Sequence, residues 1–217
     1  MKGNSERIFN KNLKSFNGKP LFHAVIDELV NSRYITKVII NTDSDLIADS
    51  AISAYKEFVV IHKRPKSIQG DLVSMNKIIE YDLNNSDYDI YIQTHSTSPL
   101  LNVKNLDAAI EKMISNSMDF DSIFSVTKIQ TRFYDKRCVP FNHDPKELLR
   151  TQDLDPLYEE NSNFYIFTKD SFKNSNNKRI GSKPLMFEID KIEAIDIDEP
   201  SDFIIAETLH KLLKWFF

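Results

Sequence analysis

Lys37-Val38-Ile39-Ile40-Asn41-Thr42-Asp43 is the stretch that decides the fold. Its apolar residues are contiguous and β-branched, with no polar alternation between them. Such a run reads as a strand buried on both faces, and that burial requires helices above and below the sheet. The chain on either side agrees. Upstream, Pro20 suits the first position of a helix, and Leu21, Phe22, Val25, Ile26, Leu29 and Val30 form an apolar stripe behind it. Downstream, Ser44 is placed to cap a helix carrying Leu46, Ile47 and Ile52. Strand Phe58 to Ile61, a loop around Arg64-Pro65, helix Ser74 to Tyr81 and strand Tyr88 to Gln93 continue the alternation. Helix Val103 to Ile114 and strand Ile123 to Val126 follow.

This order predicts an α/β domain of three layers, a mainly parallel sheet flanked by helices in the Rossmann-like manner. Beyond Thr127 the pattern breaks. Residues 128–160 are polar, contain Pro140, Pro145 and Pro156, and lack periodicity, so they read as an excursion within one domain spanning 1–217. The chain then returns with strand Asn163 to Phe167, strand Ile192 to Asp198, and a last helix from Pro200-Ser201. That helix places Phe203, Ile204, Leu209, Leu212 and Leu213 on its apolar side.

Composition narrows the function. The 217 residues suffice for one buried core, and the formal charge of -4 favours neither nucleic acid nor an anionic membrane as partner. No apolar run approaches the roughly 20 residues of a membrane span. The single cysteine, Cys138, cannot form an internal disulfide, which suits the cytoplasm. His23 sits on the apolar side of its helix and reads as a packed histidine, while His62, His143 and His210 lack zinc spacing.

In such a sheet, ligands collect beyond the carboxyl ends of the strands. Thr42-Asp43, His95 to Ser98 and Asp196 to Asp198 all fall there. Side chains alternate along an extended segment, so Asp196 and Asp198 face one way and Ile195 and Ile197 the other. Two carboxylates about 7 Å apart can share a Mg²⁺ ion with substrate phosphates, although Asp198 could equally serve as a helix cap. At the N-terminus, Gly3 allows backbone amides to approach a polyphosphate, and Lys2 and Lys11 supply positive charge. The Walker spacing is absent.

These segments, in order, resemble the CMP-sugar synthetases, the cytidylyltransferases that act on sialic acids and their relatives. Lys2-Gly3-Asn4-Ser5-Glu6-Arg7-Ile8-Phe9-Asn10-Lys11-Asn12 is similar to their nucleotide loop, commonly R-G-G-S-K-x-[IL]-P-x-K-N. Gly18-Lys19-Pro20-Leu21, Thr42-Asp43, Arg64-Pro65 with Asp71 and Ser74, Thr97-Ser98-Pro99-Leu100, Gln152-Asp153-Leu154 with Asn161 and Tyr165, and Asp196-Ile197-Asp198 follow in family order. The resemblance implies a nucleotide-diphospho-sugar transferase fold and transfer of CMP from CTP to the anomeric hydroxyl of an acidic sugar, releasing pyrophosphate. It implies that Lys11, Asp196 and Asp198 are catalytic, the two aspartates holding Mg²⁺. Lys2, Gly3, Ser5, Asn12, Arg64 and Ser74 would bind the nucleotide. His95, Thr97, Ser98, Gln152, Asn161 and Tyr165 would face the sugar. It also implies a homodimer in which the 128–160 excursions exchange, with Phe133, Tyr134 and Phe141 at the contact.

Four positions depart from the family pattern. No strand precedes the nucleotide loop, so either this start is internal to a longer protein or the sheet lacks its first strand. Lys2 stands in place of an arginine, keeping the charge without the planar fork. His95 takes the place of a glutamine, and Leu101 that of an arginine. Ser162 replaces a glycine. Two other functions stay open on the sequence: the same chemistry on 3-deoxy-manno-octulosonate, or a dimerising homologue without turnover.

Overall fold

The computed structural model describes residues 1–3 and 7–216. Its first regular element is a hairpin, β1 (Ser15–Phe16) and β2 (Lys19–Pro20). Asn17 and Gly18 form its turn with φ of 49° and 87°, the left-handed pair that a two-residue hairpin with native twist demands. There follow α1 (Leu21–Val30), β3 (Val38–Thr42), α2 (Asp45–Tyr55), β4 (Val59–Lys63), α3 (Met75–Asn84), β5 (Tyr91–Thr94) and α4 (Val103–Ser115). The second half comprises β6 (Ser122–Ile129), β7 (Leu157–Phe167), α5 (Lys169–Asn174), β8 (Pro184–Glu188) and α6 (Pro200–Phe216). Helix starts obey local chemistry. Pro20 sits one residue before α1, and the hydroxyls of Ser44, Ser74 and Thr168 accept from backbone amides as N-caps.

The mixed α/β class is as expected, with helices on both faces. β3 and β4 pair in parallel, as do β6 and β8, while β7 runs antiparallel to both β5 and β6. β7 shows why three layers form. Its Phe164 and Ile166 pack with Val25 and Leu29 of α1 and with Leu106, Ala109, Ile110 and Met113 of α4. The alternate residues, Tyr165 and Phe167, pack on the other face with Ile79 and Leu83 of α3 and with Phe172. Each such side chain contributes about 1.5–3 kcal/mol on burial. A further cluster joins Phe16, Leu21, Ala24, Ile197, Phe203 and Ala206, fixing α6 beside the N-terminal hairpin.

Apart from the β1–β2 hairpin, the strands form two separate sheets. β3 belongs to the β3–β4 pair and β5 to the order β5-β7-β6-β8, so each is an edge strand. Both edges line one cavity of about 650 Å³. Val25, Ile26 and Leu29 of α1 bound it, as do Ile78, Ile79 and Leu83 of α3. The cavity is thus a slot between two open strand edges.

Several expectations need correction. Ile192 to Asp198 is not a strand: residues 191–194 form a turn, and residues 195–198 lie in no ladder. The turn is held by the Ala194 amide on the Asp190 carbonyl, and by buried Glu193, which accepts from the Asn102 amide and the Asn105 side chain. The alternation itself survives, with Ile197 fully buried and Asp196 exposed. β8 takes a sheet position that the sequence reading left unassigned. β6 and β7 extend into the excursion from both sides, leaving 130–156 outside the sheet. Leu46 and Ile52 of α2, and Ile204, Leu212 and Leu213 of α6, are exposed rather than packed.

Candidate active site

The N-terminal segment is pinned to the carboxyl end of β3. The Gly3 amide donates to Asp43 Oδ1 at 2.8 Å. A Cβ at Gly3 would come 3.0 Å from Ser44 Cβ, so glycine is what allows this approach. Lys2 Nζ meets Asp71 Oδ1 at 2.5 Å. Ser5 lies outside the described residues.

Asn12 then ties this segment to the turn after β5. Its Nδ2 donates to the Lys2 carbonyl at 3.0 Å, and its Oδ1 accepts from Ser96 Oγ at 2.8 Å. Lys11, mostly buried, donates from Nζ to the Ile197 carbonyl at 2.5 Å and lies 3.8 Å from Asp198 Oδ1. The Ile197 amide closes the circuit on the Thr97 carbonyl at 2.8 Å. The N-terminal loop, the His95 to Ser98 turn and the Asp196 to Asp198 segment therefore form one connected wall.

Charges of both signs meet on it. Arg7 binds Asp198 at 2.7 Å and Glu199 at 3.2 Å. Asp198 does not cap α6 with its side chain. Instead Asp202 Oδ2 accepts from the amides of Asp198 and Glu199 at that helix start. Asp196 has no hydrogen-bond partner among the described residues. Together the aspartates offer two carboxylates on one short segment, a donor set that suits one hard cation when phosphate oxygens complete the shell. No cluster of three or more acidic, histidine or cysteine side chains suited to a metal exists among the described residues.

Arg64 is buried. Its Nε donates to Asn41 Oδ1 at 2.7 Å and its Nη2 to the Asn41 carbonyl at 2.9 Å, so it reaches the site through β3. Burial holds its guanidinium below the ordinary arginine range, against the pull of Asp43 and Asp82. Ser74 is exposed and caps α3.

On the other side, His95 follows β5, and its Nε2 is buried without a partner among the described residues. Burial pushes its pKa down, helped by nearby Arg179 and opposed by Asp196. The ring is therefore neutral near pH 7. Ser98 is buried, and its amide closes the turn on the His95 carbonyl at 3.2 Å. Leu101 is a core residue.

The remaining sugar-side residues sit differently from what their types suggested. Asn161 spends its side chain inside the β6–β7 pair: Oδ1 accepts from Ser125 Oγ and the Asn163 amide, and Nδ2 donates to Thr127 Oγ1. It braces the irregularity in the ladder between Phe124 and Val126. Next to it, Ser162 holds φ at 59°, which explains why a glycine suits this position. Tyr165 is fully buried and its pKa is pushed up to about 12, by burial first and then by its hydrogen bond to Glu160. Gln152 is exposed, on a short turn of helix in the excursion, and its carbonyl accepts from Gln130 at 2.9 Å.

Gln93, Glu160 and Arg179 also stand here, although the sequence singled out none of them for the site. Asp43 and Ser96 lie within the Thr42-Asp43 and His95 to Ser98 segments noted above, where they had been given no individual role. Arg179 lies in a polar Asn- and Lys-rich loop with no pattern to single it out. His23, as expected, is a packed ring, bonded to Ser50 Oγ at 3.0 Å.

The chain is 29% identical over 226 residues to pseudaminic acid cytidylyltransferase of Campylobacter jejuni, covering 97% of this chain and 94% of that one. It is 29% identical over 214 residues to N-acylneuraminate cytidylyltransferase A of Danio rerio. There it covers 95% of this chain and spans about half, 48%, of the relative. Among solved structures, CMP:2-keto-3-deoxy-manno-octonic acid synthetase complexed with CTP superposes with a TM-score of 0.70 at 12% identity, covering 98% of this chain and 96% of that one. A 4-diphosphocytidyl-2C-methyl-D-erythritol synthase from Anaerococcus prevotii gives 0.66, also at 12%, covering 97% of this chain and 93% of that one. These two show the shared fold. The family model for cytidylyltransferases matches residues 1–213, and the chain belongs to that family.

Proposed function

We propose that this chain transfers CMP from CTP to the anomeric hydroxyl of a nine-carbon acidic sugar of the sialic or pseudaminic type, releasing pyrophosphate. The observation that carries this reading is the connected wall: Lys11 on Ile197, Ile197 on Thr97, and Asn12 bridging Lys2 to Ser96. It brings cations, backbone amides and paired carboxylates together at the carboxyl ends of β3 and β5, where a triphosphate and a second substrate can meet. The names of the relatives supply the substrate class.

In this reading Lys2, Gly3, Ser5 and Lys11 receive the triphosphate, and Asn12, Arg64 and Ser74 shape the cytidine side. The sugar lies against His95, Thr97, Ser98 and Gln152, with Asn161 and Tyr165 bracing that side from within the sheet. The sugar hydroxyl attacks the α-phosphorus in line with the departing pyrophosphate. Lys11 offsets the charge that grows on the phosphoryl oxygens, the dominant kind of contribution in phosphoryl transfer. Asp196 and Asp198 would hold Mg²⁺, which when bound supplies further charge neutralisation there. Arg7 orients Asp198 through its ion pair. The exposed Tyr134 and Phe141 of the excursion form the homodimer contact in this account.

The test is a substrate panel. CTP and Mg²⁺ are incubated with N-acetylneuraminate, pseudaminate or 3-deoxy-manno-octulosonate, and CMP-sugar is separated by chromatography. Product from either nine-carbon acid supports the reading. Product from the eight-carbon acid alone replaces it with the octulosonate reaction.

A further inference from the structure

Arg179 reaches the site from the loop between α5 and β8, where side chains of β5 and β7 hold its guanidinium. Its Nη1 donates to Gln93 Oε1 at 2.6 Å. Its Nη2 donates to the Tyr165 hydroxyl at 2.8 Å. The guanidinium carbon sits 3.6 Å from the centre of the Tyr165 ring, so the fork's plane is set by an aromatic residue that is itself fully buried. Glu160 lies 3.5 Å away at Oε1 and accepts from the Tyr165 hydroxyl. Arg179 is one-fifth exposed at its side chain, and Glu160 nearly half exposed.

The location matters as much as the contacts. Gln93 and His95 are two residues apart along β5 and its extension, so their side chains share a face. Tyr165 is paired with Gln93 in register. Among the charges acting on the His95 ring, Arg179 comes before Asp196 and Asp198. The guanidinium thus lies near His95, in the turn that Asn12 ties to the N-terminal loop through Ser96.

We propose that Arg179 anchors the carboxylate of the sugar acid, and that Glu160 is a place-holder which that carboxylate displaces. This rests on the CMP-sugar reading. A guanidinium presents paired N–H donors that match a carboxylate's two oxygens, which an ammonium cannot do. Gln93 and Tyr165 pre-orient the fork, so little ordering is needed when the acid arrives. Glu160 contacts Arg179 through one oxygen at long range and is open to solvent, so it is the partner most easily exchanged. A neutral sugar would leave Glu160 in place and gain nothing from the fork. The arrangement therefore selects for acidic sugars.

The experiment compares wild type with Arg179→Gln, Arg179→Lys and Glu160→Gln, using N-acetylneuraminate, pseudaminate and their methyl esters. Calorimetric binding of the free sugar is measured beside steady-state kinetics. Arg179→Gln should raise KM and Kd for the acid about 30-fold or more while leaving KM for CTP within about twofold. Arg179→Lys should recover only part of that loss. The preference of wild type for acid over ester should collapse in Arg179→Gln. Glu160→Gln should tighten the acid about threefold by removing the competitor. Equal losses toward CTP and sugar, an unchanged acid-to-ester preference, or weaker acid binding in Glu160→Gln would overturn the anchor. Wild type that binds these acids but makes no CMP-sugar defeats the enzymatic reading and leaves the anchor to be judged by the binding data. Wild type that binds neither acid defeats both.

Discussion

Lys11 and Asp198, from opposite ends of the chain, stand 3.8 Å apart, and the same ammonium is bound to the carbonyl of Ile197. One lysine therefore has two tasks: it holds the Asp196 to Asp198 segment against the N-terminal loop, and it presents charge to an incoming triphosphate. Lys11→Ala should cut kcat/KM for CTP about 10²-fold, the usual cost of losing one donor to a developing anion. Binding of free cytidine should change little. Comparing CTP with cytidine by calorimetry separates the roles, since equal losses for both would restrict Lys11 to structure. Lys2→Arg should match or exceed wild type, because the fork suits phosphate oxygens better than an ammonium does.

The aspartates make a second prediction. Asp196→Asn and Asp198→Asn should each lower Mg²⁺-dependent turnover by about 10²-fold or more. Thermal midpoints should stay within a few degrees of wild type, because neither carboxylate caps α6. Activity measured across a magnesium titration checks this. Turnover near wild type in both variants would remove the metal from these residues.

His95 makes a pH prediction. Its pKa in the fold lies below the ordinary value, from burial first and then from Arg179, so the folded state binds its proton less readily than the unfolded chain does. The unfolded chain takes up protons as pH falls through about 6.5, and stability supplied by a neutral His95 is lost from there downward. His23 is shifted the same way by burial and adds to the loss. His95→Gln should therefore shrink, without abolishing, the fall in melting temperature between pH 7.5 and 5.5. An unchanged fall would mean that the ring is solvated.

The slot between β3 and β5 makes a fourth. Both strands turn open edges toward it, and Met1 begins at its end, with its nitrogen on the Asn41 carbonyl. Extending Met1 backwards by five or six β-branched residues should lay a strand parallel to both. Its buried side chains contribute about 1.5–3 kcal/mol each against about 1–2 kcal/mol of ordering per residue, and the new ladder bonds add to the gain. The melting temperature should rise by about 5 °C or more, and CTP affinity should rise with it. A polar segment of the same length is the control. No difference between the two would show that the slot is closed in solution.

How far the sequence alone could be read follows from what each segment is asked to do. β3 and α1 were legible because contiguous Val-Ile-Ile and a helical apolar stripe report burial directly. Ser44 and Ser74 were legible as caps because capping is local chemistry. The 192–198 segment misled because alternation reports which way side chains face, and not whether a ladder partner exists. β8 hid because Pro184–Glu188 alternates only weakly between exposed and half-buried positions. At the site, the glycine, lysine and aspartate positions were legible from type and spacing. Arg179 and Glu160 were not, because their meaning lies in a contact across β7 that no local pattern encodes. Asn161 carried a misleading signal. Its residue type suggests a ligand contact, while the fold commits both ends of its amide to bracing a strand irregularity.

The central claim is that this wall transfers CMP, and pyrophosphate release tests it most directly. The full chain is incubated with CTP, Mg²⁺ and either N-acetylneuraminate or pseudaminate, and pyrophosphate is followed with a coupled phosphatase. The account predicts release that requires the acid, matches CMP-sugar formed one for one, and falls about 10²-fold in Lys11→Ala. Folded chain that binds CTP yet releases no pyrophosphate with either acid would contradict it, and would leave a nucleotide-binding homologue without turnover.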